Sequence, residues 1–170
     1  ACYGGTSIDI FRASDLERVA SIGLGDNARP HGIEWHANGD IYATAEGRQS
    51  IFWLKNPLAD GPDTLEYSTG QRGSHMLAVS PDARHAWVMN LAAGTVTLVD
   101  LLTRRAPRSV AIGEEPEGID LSPDGEALWV SARGSNRVYE VDPAALDLRN
   151  TVDVGHFALR LAIRPQGDVA

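Results

Sequence analysis

His31 and His75 stand 44 residues apart (75 − 31 = 44), and Glu117 follows 42 residues later (117 − 75 = 42). Two imidazoles and a carboxylate form a ligand set for a divalent metal ion, and imidazole also moves protons near neutral pH. His31, His75 and Glu117 are therefore candidate metal ligands, and His31 and His75 candidate catalytic residues. The same side chains also read as loop residues meeting water, because equivalent residues two repeats apart around a ring need not converge. Five arginines fall in neighbouring segments, Arg29, Arg48, Arg72, Arg133 and Arg160, and suit an anionic small molecule or acidic partner held by charge-assisted hydrogen bonds. Glu46, Glu114, Glu115 and Glu117 share those segments, which equally describes a mixed-charge rim of exposed ion pairs. Asn90 and Asn136 complete the ligand-binding candidates. Glu34 and Asp120 occupy one repeat position that is Ala78 and Ala162 elsewhere. There they read either as a base or ligand near a channel or as hydrogen-bonded structural acids.

These positions are equivalent because the chain repeats itself. Pro30, Ser74, Pro116 and Ala158 share one register, at intervals of 44, 42 and 42 (74 − 30, 116 − 74, 158 − 116), the period of a propeller blade. Each repeat opens on apolar residues two apart: Ile33 and Trp35, Leu77 and Val79, Ile119 and Leu121, Leu161 and Ile163. That is the alternation of a strand with one buried side. A turn follows, "HANG", "SPDA", "SPDG" or "RPQG", in which Pro presets φ and Gly accepts a positive φ. A second strand places Tyr42, Trp87 and Trp129 at one position, where adjacent sheets pack. A third strand, 50–54, 95–99 and 137–141, ends twice on Asp (Asp100, Asp142), and a fourth completes each blade.

The fold expected is all-β: a propeller of four-stranded antiparallel blades, three complete and two partial. Residues 1–27 give the outer strands of one blade, 28–70, 71–112 and 113–154 three whole blades, and 155–170 the inner strand of another. Segment 1–11 aligns without gaps to 131–141, which puts Cys2 at a strand end as a small structural residue. Segment 12–19 becomes a connection before an outer strand rather than a helical turn. Open edges at both ends imply further blades of the same propeller as partners. The loops before the inner strand and those between the second and third strands emerge on one face of the channel. His36 and His85 fall in the opposite turns and read as ordinary surface residues.

A net charge of −8 and a pI near 5.0 argue against nucleic acid, whose phosphates require clustered Lys and Arg. No apolar run approaches the roughly 20 residues of a membrane helix. One cysteine excludes an intrachain disulfide and leaves the compartment undecided. Neither an initiator Met nor a basic-then-apolar leader is present in this stretch. No GxSxG, HExxH, Walker loop, zinc CxxC pair or haem CxxCH occurs.

On the third repeat, Gly113–Asp142, the chain resembles the YVTN-type propeller repeat family, with its G-x-x-P-x-G-I-x-x-S-P-D-G-x-x-L-Y-V core and closing N-x-V-x-V-I-D. The first repeat departs at "HANGD", and the second has Ser74-His75-Met76 in place of Pro-x-Gly. The resemblance implies a WD40-like, seven-bladed propeller outside the cytoplasm, periplasmic or secreted. Function does not follow from such fold-making residues. One expectation is a non-catalytic binding or scaffold propeller without a cofactor, presenting its top loops to a protein, polymer or small ligand. The alternative is a divalent-metal-dependent hydrolase or lyase, similar to propeller lactonases or antibiotic-ring-opening lyases. A haem or quinone oxidoreductase is a third.

Overall fold

The computed structural model describes residues 1 and 3–166, so Cys2 and the last residue of the "RPQG" turn lie outside the described residues. Fourteen strands appear in it: β1 (Ser7–Phe11), β2 (Arg18–Gly23), β3 (Pro30–Trp35), β4 (Ile41–Ala45), β5 (Ser50–Lys55), β6 (Asp63–Ser68), β7 (Ser74–Val79), β8 (His85–Asn90), β9 (Thr95–Asp100), β10 (Arg108–Ala111), β11 (Pro116–Leu121), β12 (Leu128–Ala132), β13 (Arg137–Val141) and β14 (Leu148–Asp153). One 3₁₀ turn, Glu46–Arg48, interrupts them. β1 and β2 form a two-stranded sheet, and the rest form three four-stranded sheets in sequential order, β3 to β6, β7 to β10 and β11 to β14, each antiparallel. The chain is an all-β run of propeller blades.

Local chemistry explains the repetition. The first turn of each blade needs a left-handed residue, supplied by Gly39 (φ 90°), Ala83 (φ 55°) and Gly125 (φ 77°); Ala83 is a side chain held where glycine is favoured. Where Asp ends the third strand, its carboxylate accepts the next turn's N–H groups: Asp100 from Leu102 and Thr103, Asp142 from Ala144 and Ala145. The Thr103 hydroxyl, and then the Thr103 and Leu102 N–H groups, lower the Asp100 carboxyl pKa to about 2.

The core lies between sheets, not within them. Ile10, Ile41 and Leu54 join the two-stranded sheet to the first blade. Tyr42, Trp53, Leu77 and Val88 join the first and second, and Trp87, Leu98, Val130 and Tyr139 the second and third. Tyr42 and Trp87 are buried and Trp129 is half-buried, as expected for a column of packing aromatics when, among the described residues, no further sheet covers Trp129. Segment 12–17 is a turn closed by the Arg12 and Glu17 backbones, and β2 follows it. After β14 no strand is assigned among the described residues. Residues 158–164 nevertheless keep the inner-strand relation: Ile163 N–H donates to Asp120 Oδ2 (2.7 Å), as Val79 N–H donates to Glu34 Oε2 (3.1 Å) at the same register two repeats earlier. Glu34 and Asp120 are thus structural acids that tie one inner strand to the next.

Candidate functional site

Every inner strand carries a β-bulge at the same place. The pairing slips between Pro30 and Ile33, between Ser74 and Met76, and between Pro116 and Gly118, so His31, His75 and Glu117 sit at the irregularities. A bulge leaves one residue outside the ladder and re-aims its side chain. The next inner strand comes close there: a Cβ on Gly32 would lie 2.8 Å from the His75 carbonyl oxygen and one on Gly118 3.1 Å from the Arg160 Cα. Each bulge is preceded by a left-handed residue, Arg29 (φ 48°), Gly73 (φ 75°) or Glu115 (φ 50°). The repeat thus builds a row of bulge residues, one on each of β3, β7 and β11.

A second row comes from the residue following each second strand, Glu46 after β4, Leu91 after β8 and Arg133 after β12, with Tyr3 in the same register of the preceding blade. The two rows interlock. The His31 and His75 rings stack with centroids 3.7 Å apart and planes inclined by 25°. Tyr3 meets the His31 ring edge-on at 5.4 Å. His75 Nδ1 contacts Glu46 Oε1, and His75 Nε2 lies 3.0 Å from Glu117 Oε1. His75 and Glu117 are each only 6% exposed. His31, Glu46 and His75 each offer a donor atom within 4.8 Å of the others. The three-donor group among the described residues therefore contains Glu46, whereas Glu117, the carboxylate that spacing suggested, holds the far nitrogen of His75.

The electrostatics favour an uncharged His31. Burial is the main cause lowering its pKa below the ordinary imidazole value; the His75 ring and, more weakly, Arg160 act in the same direction. The Glu46 carboxylate and the His75 backbone oppose them, yet Nδ1 of His31 is buried without a hydrogen-bond partner. Glu117 Oε2 likewise makes no hydrogen bond; Arg133 approaches it only at ion-pair range, 3.4 Å, while Arg160 reaches Glu117 Oε1 at 3.8 Å.

The remaining candidates divide sharply. Arg29 bonds the Tyr3 hydroxyl (2.6 Å) and reaches Glu46 at 3.9 Å, while Arg133 also pairs with Glu115 (3.2 Å) and lies over the Phe157 ring. Arg48 turns outward, its guanidinium making two bonds to Glu66 on β6 (2.8 and 2.7 Å), and Arg72 is exposed on the loop before β7. Asn90 corrects the sequence reading. It is 0% exposed, its amide bonds Thr97 and the Val88 carbonyl, and its oxygen accepts from Ser74, so it closes a buried network and is inaccessible to a ligand. Asn136, left-handed at φ 55°, accepts the Phe157 N–H and anchors the following loop. His36 is also corrected from surface residue to buried one, 8% exposed with Nε2 3.1 Å from the Ser80 carbonyl, because its turn packs against the next blade. Tyr3 is the site residue that residue type alone did not suggest; its place opposite Arg133 in the gap-free alignment of 1–11 with 131–141 carries the signal.

No protein-family model and no characterised protein sequence matches the chain. Solved structures do. Hydrazine synthase of Kuenenia stuttgartiensis superposes with a TM-score of 0.75 at 20% identity, over 84% of this chain and 41% of that one. A catalytically inactive histidine-to-alanine variant of virginiamycin B lyase from Staphylococcus aureus, with quinupristin, gives 0.69 at 17% identity, over 89% and 50%. A candidate 6-phosphogluconolactonase from Bacteroides fragilis gives 0.71 at 22% identity, over 97% and 56%. The likeness is one of fold, and the chain spans about half the length of the structures it matches.

Proposed function

We propose that this chain belongs to a divalent-cation-assisted propeller enzyme that opens cyclic esters, as a lyase or a hydrolase. The observation that carries the reading is the convergence of His31, Glu46 and His75 at the mouth of the channel. Lyase and lactonase-like propellers among the structural neighbours support it at the level of fold. A cation held there would polarise the ester carbonyl as a Lewis acid. The protein's own contribution is positional. Stacking fixes the two imidazoles against each other, Glu117 holds His75 from behind, and burial keeps His31 uncharged and its lone pair available. Arg160 is held by a 3.8 Å ion pair with Glu117 and a 3.3 Å bond to its carbonyl, weaker ties than those of Arg133 to Glu115 and Phe157, so Arg160 is the arginine that can turn to an anionic group of a substrate.

The test is turnover by the protein of a panel of lactones and cyclic depsipeptides, with and without chelator. Elimination leaves a new double bond and hydrolysis a hydroxy acid, so the product assigns the class. Ring opening lost with chelator and in His31→Ala supports the reading; equal rates in wild type and His31→Ala sink it. A second reading, a non-catalytic binding face, is favoured by the ion pairing of the rim, as in Arg48 with Glu66 and Arg133 with Glu115. It predicts saturable ligand binding without product. The repeat pattern of Gly113–Asp142 supports placing the protein among YVTN-type propellers, and on that resemblance outside the cytoplasm.

A further inference from the structure

We propose that the centre formed by His31, Glu46 and His75 selects a borderline transition-series cation of the Zn²⁺ or Co²⁺ kind over Mg²⁺ and Ca²⁺, and that Glu117 is the positioning residue that makes it do so. The proposal rests on the reading of those three residues as cation ligands.

The donor set comes first. Two imidazole nitrogens and one carboxylate oxygen suit Zn²⁺, Co²⁺ or Ni²⁺, whereas Mg²⁺ and Ca²⁺ take six or more oxygen ligands. The second carboxylate, Glu117, does not join as a further oxygen donor, because its Oε1 faces the opposite edge of His75 at 3.0 Å. Bond lengths of about 2.0–2.2 Å in a tetrahedral site put ligand atoms about 3.4 Å apart. The three donors already lie within 4.8 Å of one another, and the stack at 3.7 Å sets the two ring edges side by side.

The tautomer of His75 comes second. A neutral imidazole has a single N–H, and His75 has a carboxylate at each nitrogen, Glu46 at Nδ1 and Glu117 at Nε2. With the hydrogen on Nε2 and donated to Glu117, the Nδ1 lone pair faces the Glu46 oxygen, two acceptors that a second proton on the ring or a bound cation reconciles. His31 adds a buried Nδ1 with no hydrogen-bond partner. A histidine ligand whose other N–H is held by a carboxylate is a common outer-shell arrangement, and removing that carboxylate weakens metal binding about 10–100-fold. Glu117 is itself steadied by Arg133 at 3.4 Å and Arg160 at 3.8 Å.

The experiment is a titration of chelator-stripped protein with Co²⁺, read by its visible absorption, followed by competition with Zn²⁺ and with Mg²⁺. One equivalent of Co²⁺ should give the bands of a four- or five-coordinate ion, displaced by stoichiometric Zn²⁺ and untouched by a large excess of Mg²⁺. Glu117→Gln keeps an oxygen acceptor for Nε2–H and should bind one equivalent about 10-fold more weakly; Glu117→Ala should lose about 100-fold and shift the bands. His85→Ala, on the opposite turns, should bind as wild type. A folded protein without Co²⁺ bands, displacement by Mg²⁺ as readily as by Zn²⁺, or a Glu117→Ala protein with unchanged affinity and spectrum would each overturn the proposal. Ring opening without Zn²⁺ or Co²⁺ binding defeats this inference alone. Tight binding without turnover of any cyclic ester defeats the enzymatic reading alone.

Discussion

The Thr44 hydroxyl donates to the His75 carbonyl oxygen at 2.7 Å, reaching from the second strand of one blade to the bulge of the next, while accepting the Gly32 N–H at 2.8 Å. Ser131 repeats the arrangement one repeat step further on from the second blade, accepting from Gly118 N–H (3.0 Å) and reaching the Leu159 carbonyl at 3.3 Å. One buried hydroxyl thus satisfies backbone groups that the bulge removes from the ladder, and it sets the backbone from which His75 projects.

Thr44→Val should therefore both destabilise the protein and disturb the site. It keeps the shape but leaves a buried N–H and a buried carbonyl unmatched, at a cost of about 1–3 kcal/mol. Denaturant unfolding measures the loss, and Thr44→Ser should recover most of it. If Val matches wild type in stability, the hydroxyl does not bridge the blades.

Gly32→Ala tests the close approach of the bulge. The new Cβ would stand 2.8 Å from the His75 carbonyl oxygen and 3.0 Å from the Met76 Cα, both backbone atoms that cannot swing away. Overpacking of this kind costs about 1–3 kcal/mol, while Gly4→Ala, with nothing within 4 Å, should leave the thermal midpoint nearly unchanged. Equal midpoints for the two variants would show that the inner strands separate freely.

The strands and turns were legible in the sequence because each has a local cause: apolar spacing for the inner strand, Pro and Gly for the first turn, Asp100 and Asp142 for the third-strand exit; the expected buried side failed in the first blade, where Ile33 and Trp35 are 39% and 52% exposed. The register placed Glu34 and Asp120 at one position but left open whether they are a channel base or structural acids; their bonds to the Val79 and Ile163 N–H groups give the structural role. The bulges were not legible. Nothing in "PHGI", "SHML" or "PEGI" announces an extra residue, because the slip is fixed by a partner strand more than ten residues away. For that reason spacing offered Glu117 as the third ligand, while the structure turns Glu46 inward instead. Asn90 misled for a related reason: an Asn at a strand end reads as a loop residue until Ser74 and Thr97 are seen to enclose it.

Asn90→Ala follows from that enclosure. Removing the amide takes one partner each from the Ser74 and Thr97 hydroxyls, which keep Thr69 and Ser109, so the loss should be about 1 kcal/mol for each bond removed. Ligand or metal affinity of the protein that remains folded should not change. A variant that stays stable but loses ligand would return Asn90 to the binding face.

Glu34→Gln is a test by pH. Burial raises the Glu34 carboxyl above its ordinary 4.5, with the Val79 N–H and His36 opposing. A folded-state pKa above the unfolded one means that the folded protein binds the proton more tightly. Glu34 therefore favours folding below about pH 4.5, and this contribution is lost as pH rises through the folded value. Glutamine keeps an oxygen for the Val79 N–H without the buried charge. Thermal midpoints from pH 4 to 8 should show the variant gaining on wild type as pH rises; parallel profiles would place Glu34 in a fully solvated setting.

Arg160 and Arg48 separate the part of the rim that faces a ligand from the part that holds the fold. Arg48 is held by two bonds to Glu66, a bond to the Asp26 carbonyl at 3.3 Å and contact with the Phe52 ring, so leaving that position for a ligand would break several interactions. Arg160 is about half exposed, 3.8 Å from Glu117 Oε1 and 3.3 Å from its carbonyl, and a stronger acceptor would draw it away at little cost. A hydrogen bond to a charged group contributes about 1.5–3 kcal/mol, which is roughly a 10- to 100-fold change in affinity. Arg160→Ala should therefore raise KM for an anionic cyclic ester by that factor with kcat nearly unchanged, and Arg160→Lys should recover part of it because it restores charge without the guanidinium fork. Arg48→Ala should leave both constants alone and lower stability only slightly, as expected for a solvent-screened ion pair. Steady-state kinetics on the two alanine variants decides the matter, and a KM that rises in Arg48→Ala while Arg160→Ala stays at the wild-type value would place the ligand on the outer side of the first blade, away from His31 and His75.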